Sequence, residues 1–297
     1  MIIIKIICLI FQFYLIKKIP NDIYPPKLIT MDNILANNQT IIESHRGINR
    51  EIFENTLEAF YRAINYGIES LETDVWLSKD NVLVIYHGFG DKGDLEPLYN
   101  ERGNITDKTW KELSSYRTKY DDLKMPKLKD VLILAKNRIF LNLEIKDPRA
   151  DLVWPRLIKL IEKYDFFDQI ILSSFFFEYY DKIKEYNIQN QKRIPFGFLY
   201  KKNTTFEFYF NETGNSLNVY WMNATKSFCD KAHRNGMAVL AWFDMYEEEN
   251  FEIYKYLHDN GVNVICCNEP MLAKKFSKEY YYKFYKYGSK FRKTNLS

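Results

Sequence analysis

Residues 139–173 read IFLNLEIKDPRADLVWPRLIKLIEKYDFFDQIILS and contain one complete unit of the predicted fold. Residues 139–145 and 170–173 are short apolar runs of strand length, and residues 152–164 have the apolar spacing of a helix. Two strands joined through a helix lie parallel, because the chain crosses over the sheet before the second strand begins. The stretch therefore predicts a βαβ unit of an α/β protein.

The same alternation of strands and helices continues on both sides of this stretch. The strand-like segments are 40–44, 68–76, 139–145, 170–173, 195–200, 217–221, 237–243 and 262–267. Eight parallel strands predict a closed (β/α)8 TIM barrel spanning residues 40–275, with an insertion at about 77–125 after the second strand. An open doubly wound sheet is the alternative, although the sequence has no G-x-G-x-x-G loop to support it. Within the insertion, residues 106–116 predict a short helix with Thr106 as its cap.

The composition narrows the class of protein. A chain of 297 residues, 46% hydrophobic and 27% charged, suits one large domain, because such a barrel takes roughly 250 residues. The net charge of +3, without a long basic stripe, argues against nucleic acid as a partner. The four cysteines form no C-x-x-C pair, so a zinc site is not expected, and Cys266 and Cys267 are expected in the core.

Both ends of the chain differ from the predicted barrel. Residues 1–19 are mostly apolar and predict a signal peptide or signal anchor, with a poorly packed leader or a misassigned start as the alternative. Residues 20–39 contain three prolines and predict a linker. Residues 276–297 form a basic aromatic tail, typical of an interfacial segment or of a solvated, partly helical end.

Glycosylation motifs bear on where the protein resides. Sequons of the form Asn-x-Ser/Thr begin at Asn38, Asn104, Asn203, Asn211, Asn223 and Asn295. Together with the apolar leader, they favour entry into the secretory pathway. We therefore expect a secreted or membrane-anchored protein, with membrane association through the N-terminal segment.

Polar residues collect where three predicted strands end, which is the face of a barrel that holds the active site. The three segments are His45-Arg46-Gly47, Glu72-Thr73-Asp74 and Glu144-Ile145-Lys146. Residues two apart on a strand point to the same side, so Glu72 shares a face with Asp74, and Glu144 with Lys146. Three carboxylates gathered at one mouth would repel each other unless a divalent cation or a network of salt bridges balanced them. Ligands that are all oxygen favour Mg²⁺ or Ca²⁺.

Two histidines lie outside the predicted helices. His45 follows the first strand, and His87 ends the strand predicted at residues 82–86. Imidazole titrates near neutral pH, so this pair predicts proton transfer to and from a substrate. His233 and His258 lie on predicted helices and are expected to be surface or packing residues.

Five motifs occur in the order known from one enzyme family. They are ESHRG at 43–47, ENTLEAF at 54–60, LETDV at 71–75, VIYH at 84–87 and LEIK at 143–146. In this order they resemble the glycerophosphodiester phosphodiesterase family, over about residues 40–275. Any single motif is weak evidence, whereas the ordered set is specific.

The resemblance implies roles for individual residues. Glu72, Asp74 and Glu144 would hold Mg²⁺ or Ca²⁺, and His45 and His87 would be the acid/base pair. Arg46 and Lys146 would stabilise phosphate charge, while Glu54, Asn55 and Trp242 would bind or border the substrate. Two of these have structural alternatives, because Asn55 could cap the following helix and Trp242 could pack in the core.

The sequence departs from the family pattern at several positions. Phe53 precedes Glu54 where proline is usual, and Gly88 follows His87 where aspartate is common. Residues 243–245 replace a Thr- and Asn-containing segment, and Asn268 replaces an aspartate after the last strand. These departures put substrate preference in doubt more than catalysis.

The resemblance implies metal-dependent hydrolysis of glycerophosphodiesters, such as glycerophosphocholine, to glycerol 3-phosphate and an alcohol. A second interpretation is a lysophospholipase D that acts on lysophospholipids. A third is a catalytically silent barrel that binds phosphodiester head groups.

Overall fold

A computed structural model describes residues 30–36, 40–96, 99, 101–202 and 211–291, with side chains through residue 280. The barrel strands are β1 (Ile41–His45), β2 (Ser70–Leu77), β4 (Phe140–Ile145), β5 (Ile170–Ser174), β6 (Phe196–Leu199), β7 (Ser216–Tyr220), β8 (Ala238–Trp242) and β9 (Val264–Cys267). Each pairs in parallel with the next, and β1 pairs with both β2 and β9, which closes the barrel. The predicted (β/α)8 architecture is confirmed.

Most of the helices cover the outside of the barrel and present an apolar stripe to the strands. They are α1 (Met31–Ala36), α2 (Leu57–Asn65), α3 (Trp110–Leu113), α4 (Leu128–Ala135), α5 (Ala150–Tyr164), α6 (Glu178–Asn190), α7 (Lys226–Arg234), α8 (Phe251–Asn260) and α9 (Pro270–Phe291). Of these, α1 lies at the N-terminal end of the barrel and α3 in the insertion. In α5, for example, Val153, Leu157 and Ile161 recur every four residues and are fully buried.

The barrel interior is closed at its N-terminal end. Met31 and Ile34 of α1 pack against Ile41, Phe140 and other inward residues of the first layer. His233 and His258 also lie toward this end, where their rings contact Asn263 and Thr40. His233 is exposed and His258 is half-buried, which agrees with the prediction of surface or packing residues. The opposite, C-terminal end is left as the mouth of the barrel.

The predicted insertion follows β2 and forms its own small core. β3 (Leu83–Ile85) pairs antiparallel with the end of β2, and Trp76 and Tyr86 anchor a cluster with residues of the loops beyond. The predicted helix at 106–116 was wrong in its start and length, since α3 covers only Trp110–Leu113. Thr109 caps it, while Thr106 donates to the carbonyl of Lys92 instead.

Several predictions fall at the ends of the chain. The leader at 1–19 and most of the linker at 20–39 lie outside the described residues. Helix α9 runs through the boundary placed at residue 275, so the tail begins within a helix that continues to Phe291. No helix within the described ranges is long and apolar enough to cross a membrane.

Candidate active site

Strand β2 brings the predicted site residues together. Glu72 lies in register with His45 of β1, and Asp74 lies in register with Glu144 of β4. Parallel neighbours in register present their side chains side by side, and residues two apart share a face. The pairing therefore places one imidazole and three carboxylates on adjoining strands of the mouth.

Glu72, Asp74 and Glu144 form a compact group that we call the acidic cluster. One carboxylate oxygen from each lies within 4.8 Å of the others, and all three residues are buried. Glu72 Oε1 and Asp74 Oδ1 accept no hydrogen bond from any residue that the structure describes, and Glu144 Oε1 has the Lys146 ammonium 3.0 Å away. Buried acceptors without partners are costly, so the converging carboxylates could hold a cation. Oxygen donors of this kind fit Mg²⁺ or Ca²⁺.

Two cations border the acidic cluster. The Arg46 guanidinium donates to Glu54 at 3.0 Å, and its Nε lies 3.2 Å from Asp74. The Lys146 ammonium lies 3.0 Å from Glu144 and 3.8 Å from Asp74. Burial alone would lower the pKa of Lys146, but the charges of Glu144 and Asp74 outweigh burial and raise it. The pKa of Arg46 is raised as well, so both cations remain charged beside the acidic cluster.

The cations do not balance the carboxylates. Four acidic groups face two basic ones; they are Glu54, Glu72, Asp74 and Glu144 against Arg46 and Lys146. The neighbouring negative charges add to burial in raising carboxyl pKa values here. Burial, followed by the charge of Asp74, raises the pKa of Glu72 well above 4.5. Burial also raises the pKa of Glu144, although Lys146 opposes the shift.

The two imidazoles lie at or just after the ends of β1 and β3, which both pair with the edge of β2 that faces away from β4. His45 Nε2 lies 3.9 Å from Glu72 Oε2, and His87 follows β3 with its ring edge-on to Phe89. Burial, then the charge of Arg46, lowers the pKa of both histidines well below 6.5. The charge of His45 adds to the shift at His87, as expected for two rings that face one site. Nδ1 of His87 is buried with no partner in the described part of the chain.

Asn55 serves the acidic cluster rather than the helix that follows it. Its Nδ2 donates to Asp74 at 2.8 Å, and its Oδ1 accepts from the Thr73 hydroxyl at 2.7 Å. The alternative that Asn55 caps α2 was wrong, because Thr56 accepts from the backbone N–H of Ala59. Asn55 has a φ of +55°, a conformation that asparagine tolerates better than most residues.

Trp242 is the last residue of β8, at the mouth. Its ring lies 5.4 Å from that of Tyr220, and it also packs on the apolar layer below. Nε1 of Trp242 is buried without a hydrogen-bond partner among residues with described side chains. The residue therefore packs in the interior and also carries an unused donor near the mouth.

The sequence predictions missed the residues behind His45. Asn268 follows β9 and lies 2.9 Å from Nδ1 of His45, although it had been noted only as a departure from the family pattern. Asn49 and the buried Glu249 hydrogen-bond to Asn268 in turn. A polar residue directly after a strand was the available signal for Asn268, whereas Glu249 precedes a helix and carried none.

The fold and its polar mouth define this protein as a barrel enzyme of the hydrolase class. The chain belongs to the glycerophosphoryl diester phosphodiesterase family, whose family model matches residues 45–272. This confirms the family resemblance of the ordered motifs.

Individual relatives agree with this membership. A glycerophosphodiester phosphodiesterase from Caldanaerobacter subterraneus subsp. tengcongensis is 26% identical over 249 residues, covering 78% of this chain and 95% of that protein. A Galdieria sulphuraria structure assigned the same activity aligns with a TM-score of 0.72 at 23% identity, covering 80% of this chain and 98% of that one. An Oleispira antarctica phosphodiesterase in complex with the product sn-glycerol-3-phosphate aligns with a TM-score of 0.68 at 19% identity, covering 82% and 98%. At these identities the two solved structures support the fold alone.

Proposed function

We propose that this chain hydrolyses glycerophosphodiesters, such as glycerophosphocholine, to glycerol 3-phosphate and an alcohol, with Mg²⁺ or Ca²⁺ as cofactor. The observation that carries the proposal is the convergence of three buried carboxylates, with one oxygen of each within 4.8 Å of the others, beside the imidazoles of His45 and His87. The name of the Caldanaerobacter relative and the product in the Oleispira complex support the substrate class.

A purely structural network of salt bridges explains the acidic cluster less well. Arg46 and Lys146 do pair with Asp74 and Glu144, but Glu72 receives only the backbone N–H of Arg46. The formal excess of two negative charges remains. A divalent ion held by Glu72, Asp74 and Glu144 would balance it, whereas a structural network would require protonated carboxyls in the interior.

The residues present can supply the remaining chemistry. When bound, the ion supplies Lewis-acid stabilisation of the phosphate charge. Arg46 and Lys146 add fixed positive charges at the same place, and a buried position makes each worth more than it would be in water. Glu54 and Asn55 hold Arg46 and Asp74 in position through hydrogen bonds of 3.0 and 2.8 Å.

Two imidazoles account for the protons. One takes the proton of the attacking hydroxyl while the new P–O bond forms. The other gives a proton to the leaving alkoxide while the P–O bond to the alcohol breaks. The attacking hydroxyl belongs to water or to the glycerol itself, and in the second case water then attacks the cyclic phosphate and breaks its second P–O bond to give glycerol 3-phosphate. The lowered pKa of His45 and His87 favours the neutral, proton-accepting form in the free protein. The anionic phosphodiester would favour protonation of the ring that acts as the acid.

A substrate panel tests the proposal directly. Purified protein is assayed with glycerophosphocholine, glycerophosphoethanolamine and lysophosphatidylcholine, in EDTA and with added Mg²⁺ or Ca²⁺. We expect release of glycerol 3-phosphate that EDTA abolishes and the metal restores. Faster turnover of lysophosphatidylcholine would favour a lysophospholipase D, and metal binding without turnover of any substrate would favour a silent barrel.

A pair of variants distinguishes the loss of a metal ligand in the acidic cluster from the loss of any buried carboxylate. Glu72→Gln should lower turnover by about 100-fold or more, because it removes a ligand of the metal. Glu69→Gln is the matched control, since Glu69 has a raised pKa through burial but accepts from Ile42 near the closed end of the barrel. Equal losses in the two variants would contradict the assignment of Glu72 as a ligand.

A further inference from the structure

His45 uses its two ring nitrogens for different neighbours. Nε2 faces Glu72 of the acidic cluster at 3.9 Å, and Nδ1 faces Oδ1 of Asn268 at 2.9 Å. A neutral imidazole carries one proton, and the nitrogen without it is the one that can accept a proton from a substrate. Which nitrogen carries the proton is set by the partner of the other.

The surrounding hydrogen bonds fix the orientation of the Asn268 amide. Asn49 Nδ2 donates both to the carbonyl of His45 at 2.8 Å and to Asn268 Oδ1 at 2.9 Å. Asn268 Nδ2 donates to the carbonyl of Asp244 at 2.9 Å and to Glu249 Oε1 at 2.9 Å. If the oxygen and nitrogen of Asn268 were exchanged, its N–H would face the donating Nδ2 of Asn49. Its oxygen would then face two acceptors, the carbonyl of Asp244 and Glu249 Oε1. Oδ1 therefore faces His45, and because Oδ1 only accepts, Nδ1 must carry the proton.

We propose that Asn268 is a positioning residue that holds His45 as the Nδ1–H tautomer and leaves Nε2 free to act as the general base. This inference rests on the proposed function and assigns the acid role to His87. Asn268 itself touches no reacting atom, because it lies behind the ring and acts only through it.

Glu249 holds Asn268 in this orientation. Its Oε1 accepts from both the backbone N–H and the side chain of Asn268, and its Oε2 accepts from the Tyr254 hydroxyl at 2.7 Å. Glu249 thus ties the loop after β8 to the loop after β9 beneath His45. The group in contact with Nδ1 is a neutral amide, so the tautomer is fixed without a negative charge that would favour a doubly protonated ring.

Nitrogen-15 NMR of the metal-free protein, labelled at histidine, reads the tautomer without any substrate. We expect His45 to show a protonated Nδ1 and an unprotonated Nε2, with its signals identified by their loss in His45→Gln. In Asn268→Leu we expect a mixture of tautomers. A wild-type protein with its proton on Nε2 would overturn the inference, whatever the enzyme hydrolyses.

Kinetics test the consequence for the reaction. Asn268→Leu should lower kcat by about 10- to 100-fold while KM stays within about twofold, because the substrate contacts are untouched. Asn263→Leu is the matched control. Oδ1 of Asn263 also accepts from a histidine, His233, at 2.8 Å, but Asn263 precedes β9 at the closed end of the barrel. An equal fall in kcat in both variants would show a loss of stability instead and refute the positioning role.

A charge exchange provides the rescue. Asn268→Asp alone places a second carboxylate beside that of Glu249, and the repulsion should lower kcat. Combining it with Glu249→Gln removes the repulsion, because the glutamine amide can donate to the carboxylate at position 268, which still accepts from Nδ1 of His45. We expect the double variant to recover kcat to within about tenfold of the wild type, the smaller end of the loss typical of such partners. A double variant as slow as Asn268→Leu, with the fold intact by circular dichroism, would contradict the proposal. Absence of turnover in the wild type would refute the proposed function and leave the tautomer to the NMR result.

Discussion

Asn55 donates a 2.8 Å hydrogen bond from Nδ2 to Oδ2 of Asp74, the member of the acidic cluster that also contacts Arg46 and Lys146. The same amide accepts from the Thr73 hydroxyl, so its orientation is set on both sides. Asp74 is thereby left with Oδ1 as its unpartnered oxygen. The hydrogen bond explains why an asparagine at the end of a loop belongs to the site.

We predict that Asn55→Gly weakens metal binding and turnover by about 10- to 100-fold, the usual loss when the partner of a metal ligand is removed. Glycine keeps the positive φ of +55° and removes only the amide. Asn81→Gly is the control, since Asn81 has a φ of +64° in an exposed turn before β3. Isothermal titration with Mg²⁺ or Ca²⁺ measures the affinity, and similar affinities in the two variants would show that Asn55 does not support the cluster.

The raised pKa of Glu72 and Glu144 predicts how pH and metal act on stability. A carboxyl whose pKa is higher in the folded state stabilises the fold below its ordinary value near 4.5 and loses that contribution as the pH rises through the folded value. The metal-free protein should therefore lose this stabilisation progressively as the pH rises above about 4.5. A divalent ion binds the deprotonated cluster, so its stabilising effect should grow over the same range.

Thermal unfolding measures this dependence. With metal at about 100 times its Kd the fold gains about 2.7 kcal/mol, which corresponds to a rise in Tm of roughly 5 °C at pH 7.5. At pH 5.5 the rise should be clearly smaller, because the ion must displace protons. Glu72→Gln should abolish most of the rise at both values. A rise that is equal or larger at pH 5.5 would be inconsistent with carboxylate ligands of raised pKa.

Close packing behind His45 gives a prediction about one glycine. Gly47 has a φ of +87°, and a Cβ there would lie 2.7 Å from Cβ of Ala59 on α2. Gly47→Ala should cost about 3 kcal/mol or more of unfolding free energy and displace Arg46 and the end of β1. Gly90→Ala has the same conformational strain, with a φ of +64°, but no described atom within 4 Å, and should cost about 1 kcal/mol. Denaturant unfolding compares them, and equal losses would exclude the clash with Ala59.

The sequence predicted the barrel and most of the site because both depend on local patterns. Apolar runs at regular intervals identify the strands, and the two-residue spacing of Glu72 and Asp74 places them on one face whatever surrounds them. The contact between Glu249 and Asn268 depends instead on how two loops meet after the barrel closes. No local pattern encodes that meeting, so the group that orients His45 could be found only from the structure.

The start of the helix in the insertion was predicted wrongly for a different reason. The sequence contained a signal for the correct cap, Thr109, but the prediction placed the cap at Thr106. Thr109 and Glu112 satisfy each other's backbone N–H groups as a capping box, and Thr-x-x-Glu is the pattern that marks such a start. We predict that Thr109→Ala costs about 1 kcal/mol of unfolding free energy. Thr106→Ala should cost less than about 0.5 kcal/mol, since its hydroxyl makes one exposed 3.3 Å contact with Lys92. Chemical denaturation measures the free energy of unfolding of both variants. A larger loss in Thr106→Ala than in Thr109→Ala would contradict the assignment of Thr109 as the cap.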